Sequence, residues 1–505
     1  MRKLTKLQLV CAAVMAICCA GFVSAFNATN YATTSRLATG KWVKISIPES
    51  GMYELTYDEL REMGFNNPEK VAVYGFGGNK INETLNGGVP DDMRRVPILR
   101  SNDKICFYGN GPVHMNISDY NTTPRFTRTF NPYSQVGCYL LTEITMADLL
   151  PTKKATVTVN NYVDMPMSLG YFYHERELVS PGSSGKEMLG EDFSAEQVKI
   201  DYYLPQLADS NLVVQTSIAA NVSSVSYATG ILHSGAASDT TNFSLSLSRI
   251  YSPANSTYIL YNYATPYGAL KLSHPAERGQ FEPYLRFGSS DVTISLMRLD
   301  YFILTYKHFN IITEDENNQV FMGYAATRGN ERFMLPNASS NTVVWCINST
   351  NYPTEVTTST YNDESGTGLA FYSASAAVSQ YVAFDPTKTL KKIISYEDVP
   401  NQNLHAMAVP DLLIITDKMY LEQAQRIADL HTAIDGIDVA VVDQEQVFNE
   451  FSSGTRDGMA YRLLCKMLYD RDPVKFKNAV PLSCIYRLSA AVDHEPVLRE
   501  LRPSV

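Results

Sequence analysis

The residues of this chain with the right types for nucleophilic chemistry are its cysteines and histidines. A cysteine nucleophile needs a thiolate held beside an imidazole. Of eight cysteines, Cys106, Cys138, Cys346, Cys465 and Cys484 lie outside the N-terminal apolar run. Their wide spacing contains no CxxC or zinc pattern, so they read as buried thiols with at most one disulfide among them. Cys465 falls on the polar–apolar border of a helical pattern and reads as packing. His431 closes another helical pattern, where it can interact with the helix dipole. His405 sits just before an apolar run. None of these has an evident partner in the sequence, and structural roles are expected for them.

The other chemical patterns are equally incomplete. His174-Glu175-Arg176-Glu177 and His494-Glu495 begin like zinc-binding helices but lack the second histidine one turn on. No GxSxG elbow occurs, and Gly182-Ser183-Ser184-Gly185 lies in a loop composition rather than at a strand-to-helix turn. Gly75-Phe76-Gly77-Gly78 follows a strand but precedes no amphipathic helix, which excludes a phosphate loop and implies a tight turn. Carboxylate pairs such as Asp91-Asp92 read as solvated loop charges rather than an acid–base dyad. No catalytic, cofactor-binding or metal-binding residue is therefore assigned.

A catalytic scaffold is suggested by one stretch, Gln402 to Gly454. The apolar runs Leu412–Ile415 and Val439–Val442 flank about twenty residues of helical pattern, the sequence form of a strand, a crossover helix and a parallel strand. Leu421, Ala424, Ile427, Ala428 and Leu430 mark one helix face, and Gly436 closes it. Helical patterns follow at Gln444–Phe451 and Met459–Tyr469, separated by Ser452-Ser453-Gly454. Thr416 and Asp443 fall at the carboxyl ends of the two strands, the edge at which open α/β sheets bind ligands.

Everything upstream reads as β-rich. Lys41 to Thr56 alternates around Glu49-Ser50-Gly51 as a hairpin would. Thr56 and Glu59 have capping-box spacing, with Gly64 at the stop of a short helix. Strands are expected at Val71–Tyr74, Lys104–Gly111 and Tyr139–Leu141. After the loop Val179–Gly190 they recur at Val198–Tyr203, Leu212–Ile218, Phe243–Leu247, Tyr258–Tyr263, Val292–Leu296, Tyr301–Thr305, Gln319–Tyr324, Thr342–Ile347 and Tyr381–Phe384. Many short strands between turns imply a β-sandwich or jelly roll. The expected organisation is a signal peptide at 1–25, a β-rich domain at 26–165, a β-sandwich at 166–398 and an incomplete α/β domain at 399–505.

Length and charge agree with this. At roughly 100 to 200 residues per domain, 505 residues allow about three domains. Arg2, Lys3 and Lys6 before the apolar run Leu7–Val23, with Val23-Ser24-Ala25 as cleavage site, imply export with Phe26 as the mature start. The formal charge of -10 becomes -13 once those three cations leave. That excess of negative charge argues against a nucleic-acid partner, which needs a basic face.

At QNLH, PDLLIIT, RIADLH and QVFNEFSSGT the stretch from Gln402 resembles the start of the peptidase domain of the gingipain-type (C25) cysteine peptidases, in the branch that serves as sortase of type IX secretion. GMYELTYDELREMGF, VYGFGG, FYGNGP, NPYSQVGCYLLTE and YHERELVSPGSSGKEMLGEDFS resemble the β-rich part that precedes it. The resemblance runs from about Lys41 to Asp472. It implies an exported, outer-membrane surface protein of Bacteroidetes-type bacteria, partnered by other type IX components. Such a protein removes C-terminal signal domains from secreted cargo and joins the cargo to lipopolysaccharide. It also implies a caspase-like α/β fold in which a His and a Cys at the ends of later strands form a dyad, the thiolate attacking the scissile carbonyl and water or an amine resolving the acyl-enzyme. After Val480 the resemblance stops, at PLSCIYRLSAAVDHEPVLRELRPSV, and Cys484 and His494 fall in no matching motif. The expectation is a truncated peptidase domain without its dyad. The alternative is a non-catalytic β-domain module that binds secretion-machinery or cell-surface partners.

Overall fold

The computed structural model describes residues 31–84, 91–118, 123–145, 153–180, 188–193, 198–222, 226–234, 240–247, 262–264, 267–287, 294–324, 330–374, 379–476 and 478–481. The expected signal peptide, the Gly182–Gly185 loop, Cys484 and His494 lie outside them. The described residues form mostly β-strands in several sheets with few helices. No described helix is long and apolar enough to cross a membrane.

Two compact units emerge, and each is built from separated pieces of chain. The described residues of the first fall within 31–42, 80–94 and 399–481, those of the second within 43–79 and 95–398. Strand Lys153–Ala155 runs parallel to Thr354–Val356, and Val163–Met165 parallel to Glu331–Leu335.

The second unit is organised around a ten-stranded sheet containing Asn211–Val222, Ile294–Phe309, Met167–Glu175, Gln319–Tyr324, Ser379–Phe384 and Val343–Cys346. One part of it packs on a four-stranded sheet of Ile200–Tyr203, Arg278–Phe287, Ser226–Ser234 and Thr240–Leu247. Leu212, Val214, Phe302 and Leu304 meet Tyr202, Leu232 and Phe281 in that core. Another part packs on the sheet that holds Glu331–Leu335 and Gly366–Ser373, through Val320, Met322, Val344 and Ala383 against Phe333, Leu335, Leu369 and Phe371. The expected sandwich is thus two sandwiches sharing one long sheet. Ile294–Phe309 is one 16-residue strand where two strands were expected, and its register against Asn211–Val222 is irregular between Ser217 and Ile218.

The N-terminal hairpin is a correction. Trp42–Ile47 and Gly51–Thr56 are both strands, but they do not pair with each other. The first pairs with Gly137–Glu143 and the second with Lys104–Gly109, in two different sheets. The alternating pattern is misleading because both strands are buried on both faces. Val43, Ile45 and Ile47 share one core with Tyr53 and Leu55, so Glu49-Ser50-Gly51 carries the chain from one layer to the next.

Helix α1 (Tyr57–Glu62) has the full capping box expected of it, Thr56 accepting from Glu59 N–H and Glu59 accepting from Thr56 N–H. Gly75-Phe76-Gly77-Gly78 forms no helix. A side chain at Gly77, where φ is +69°, would put a Cβ 2.4 Å from the Asn110 carbonyl oxygen, so glycine is required by close backbone approach.

In the first unit the expected parallel unit is present. Leu412–Thr416 pairs in parallel with Val439–Asp443, Thr416 opposite Asp443, and also with Asn478–Pro481 on its other side. The central strand is buried along its whole length. Helix α2 (Leu421–Asp435) connects the first two strands and ends at Gly436 with φ +67°. Its inner face is Ala424 and Ala428, with Ile427 packed beside them. Leu430 is not part of that face, being 56% exposed. Helices α3 (Gln444–Phe451) and α4 (Gly458–Arg471) follow, capped by Asp443 and Asp457.

Candidate functional site

The carboxyl edge of the parallel sheet is where ligand chemistry is expected, and the fold places Thr416 and Asp443 there side by side. Thr416 is fully buried, and its hydroxyl has no hydrogen-bond partner among the described residues. Asp417, next along, is buried and caps the following 3-10 turn by accepting from Met419 N–H at 3.0 Å. It also accepts from the Gln444 amide at 2.7 Å, and Gln444 in turn accepts from the Tyr461 hydroxyl at 3.2 Å. Asp443 accepts from Glu445 N–H at 3.1 Å at the head of α3. Burial, with the charges of Glu445 and Asp417, holds the Asp443 carboxyl above its ordinary range. The edge is therefore an acidic rim of cap and turn residues. No group of three or more metal-ligating side chains exists among the described residues.

The histidines and cysteines do not assemble there. His431 is on exposed α2 and bonds Asp435 one turn on, at 2.6 Å. His174 is in a strand rather than a helix and pairs with Glu191 at 2.9 Å. None of Cys106, Cys138, Cys346 and Cys465 forms a disulfide among the described residues. Burial pushes Cys106 up to about 12 and Cys465 up to about 11, and it raises Cys346 as well. A nucleophile needs the opposite shift, so packing is what these three sites favour.

His405, like His431, has partners that the sequence did not reveal. It is fully buried and bridges two carboxylates, Nδ1 to Glu450 at 2.6 Å and Nε2 to Asp91 at 3.1 Å. Its ring stacks on Phe451 with centroids 4.8 Å apart and planes 10° from parallel. Burial alone would lower the imidazole, but hydrogen bonds and charge from Asp91 and Glu450 overcome it and raise His405 to about 9. Both ring nitrogens of the resulting imidazolium donate. Glu450 takes further bonds from Leu404 N–H at 2.7 Å, His405 N–H at 3.1 Å and the Gln402 amide at 2.9 Å.

Asp91 and Asp92 are a second correction. They are not solvated loop charges, because Asp91 accepts from Ala32 N–H as well as from His405, and Asp92 is buried and accepts from Arg36 N–H at 2.9 Å. The cluster thus ties three stretches together: the N-terminal segment, the 80–94 segment and the Gln402–His405 turn on α3. Asp91 lies 314 residues from His405, which no local pattern reports. The signal that was available is Glu450 itself, a carboxylate set among Val447, Phe448 and Phe451 on the buried side of α3.

The model of peptidase family C25 matches residues 405–481, from this histidine to the third strand of the sheet. No curated protein matches the chain. A crystal structure of dimeric latent PorU from Porphyromonas gingivalis is similar over 89% of this chain and 42% of its own, at 27% identity and a TM-score of 0.76. The chain therefore spans less than half the length of that relative. A glucanotransferase from Paenibacillus sp. (7% identity, 43% of this chain and 45% of its own, TM-score 0.15) and a structure of infectious bursal disease virus strain Gx (10%, 68% and 80%, TM-score 0.19) are too distant to carry an argument. The peptidase-family match and the likeness to PorU together support a PorU/gingipain-type protein.

Proposed function

We propose that this chain supplies the β-rich portion and the opening strands of a gingipain-type sortase of type IX secretion, no His–Cys dyad being assembled among the described residues. The observation that carries this reading is the parallel strand–helix–strand unit matched to peptidase family C25 at 405–481, behind β-sheets similar to those of PorU. In this reading the protein is exported and acts at the outer-membrane surface. There it meets cargo bearing C-terminal signal domains and components of the secretion machinery.

The acidic rim at Thr416, Asp417 and Asp443 is the frame against which a dyad on neighbouring strands would be mounted. Asp443 and Asp417 hold the helix and turn that leave the strand ends, which fixes where later strand ends would deliver an imidazole and a thiolate. No acyl transfer is assigned to the described residues themselves.

The test uses the 505-residue protein, a thiol-reactive activity probe and a cargo protein carrying its C-terminal signal domain. The expected result is no probe labelling at a catalytic thiol and no cleavage, with cargo retained on the immobilised protein. Cleavage by this chain alone would overturn the assignment of the dyad elsewhere, and absence of cargo binding would overturn the sortase reading of its β-domains.

A further inference from the structure

Within the second unit, remote from the acidic rim in sequence and in function, the shared ten-stranded sheet borders a cavity of about 180 Å³. At about 30 Å³ per water this holds roughly six waters, well below the roughly 300–1,000 Å³ of pockets for drug-sized ligands. Tyr171, Tyr203 and Tyr306 are among its walls. Tyr171 is 37% exposed, which leaves part of its ring open to a partner.

Two polar groups in the lining are left unfinished. Gln319 is 2% exposed, and its Oε1 accepts from Met52 N–H at 2.9 Å, which fixes the orientation of the amide. Its Nε2 then has no partner among the described residues, and neither has Oε1 of Glu316. Lys391, also in the lining, is engaged by Glu49. A buried amide donor and a buried carboxyl acceptor each lose free energy when left unpaired, so they specify what should enter.

An ammonium ligand would satisfy Glu316 but leave the Gln319 donor empty. An anion would satisfy Gln319 but face the carboxyls of Glu316 and Glu49. A hydroxyl both donates and accepts, and a ring bearing several of them can do both at once while its C–H face lies on tyrosine. We propose that this cavity binds a neutral polyhydroxylated ring of monosaccharide size, with Gln319 donating to one hydroxyl, Glu316 accepting from another, and the tyrosines packing on the C–H face. The site is independent of the peptidase reading, since none of its residues lies in the region matched to that family.

The experiment is saturation-transfer NMR and calorimetry on the 505-residue protein with a panel of methyl glycosides. Methylammonium serves as the donor-only probe and inorganic sulfate as the acceptor-only probe. Saturable binding of at least one glycoside is expected, weaker by about tenfold or more in Glu316→Ala and in Tyr171→Ala. Gln319→Glu, which retains an acceptor for Met52 but removes the donor, should weaken it similarly. Thermal unfolding of each variant reports whether the fold is intact, and Tyr171→Ala, at a partly exposed position, guards against loss of the others. The proposal fails if no glycoside binds, if methylammonium or sulfate binds in place of the glycosides, or if folded variants bind as well as the parent.

Discussion

His405 is a cation held by two carboxylates in an apolar setting, and its removal should expose how such a cluster works. His405→Leu leaves Glu450 and Asp91 without their shared partner, and breaking a buried pair in this way costs about 3–5 kcal/mol. A loss of unfolding free energy in urea of less than a third of that would show that the carboxylates find other partners. The raised imidazole also gives a pH signature. Because its folded value of about 9 exceeds the unfolded value of about 6.5, its stabilisation is fully present below about pH 6.5 and disappears as pH climbs through about 9. Urea midpoints measured from pH 6 to 10 should fall in the parent, and that fall should be smaller in His405→Leu. At the thiols, Cys106 and Cys465 should resist alkylation by iodoacetamide at pH 8 in the folded protein and react once urea is added, as read by peptide mass spectrometry. Rapid labelling of either in the native state would contradict the burial described here.

At the scale of elements, two glycines separate cost by cause. Gly436 has φ +67° with nothing near its missing Cβ, so Gly436→Ala should cost about 1–2 kcal/mol, the strain of a left-handed residue alone. Gly77→Ala adds a clash with the Asn110 carbonyl to a similar strain and should cost more than Gly436→Ala, in a comparison of thermal unfolding for the two variants. Equal costs would mean that the backbone at Asn110 moves freely. These elements also show what was legible beforehand. The capping box of α1, the turn at Gly77, the parallel pair at Leu412 and Val439, and the bounds of α3 all follow from local chemistry, which a sequence displays. The pairing of Trp42–Ile47 was not legible, because a strand buried on both faces carries no record of which sheet receives it. Leu430 was misassigned for a related reason, since helical spacing marks a stripe without saying how wide the covered part is.

Over the whole molecule, the first unit depends on distant stretches of chain. Ser35 N–H donates to Asn403 at 2.8 Å, the Tyr31 hydroxyl to Asp470 at 2.7 Å, and Ile81 N–H to Asp457 at 2.9 Å. A fragment beginning at residue 399 would leave Glu450 and His405 without Asp91, and Asp457 without Ile81. Residues 399–505 expressed alone should therefore show no cooperative thermal transition by circular dichroism. A sharp transition like that of the full chain would show the 80–94 segment to be dispensable. The candidate site was legible only as a place, the ends of two strands. Its neighbour at His405 was hidden because its parts meet only after folding.

The bond from Tyr31 to Asp470 spans 439 positions, and that separation sets an order of events. During synthesis the segment near Tyr31 emerges long before Asp470 and must wait for the intervening chain before that partner exists. Closing so long a loop comes late in folding, after the sandwiches have had time to form from nearer strands. Until residues 399–471 arrive, the segment near Tyr31 lacks the Asn403, Asp470 and Arg471 groups it bonds in the folded unit.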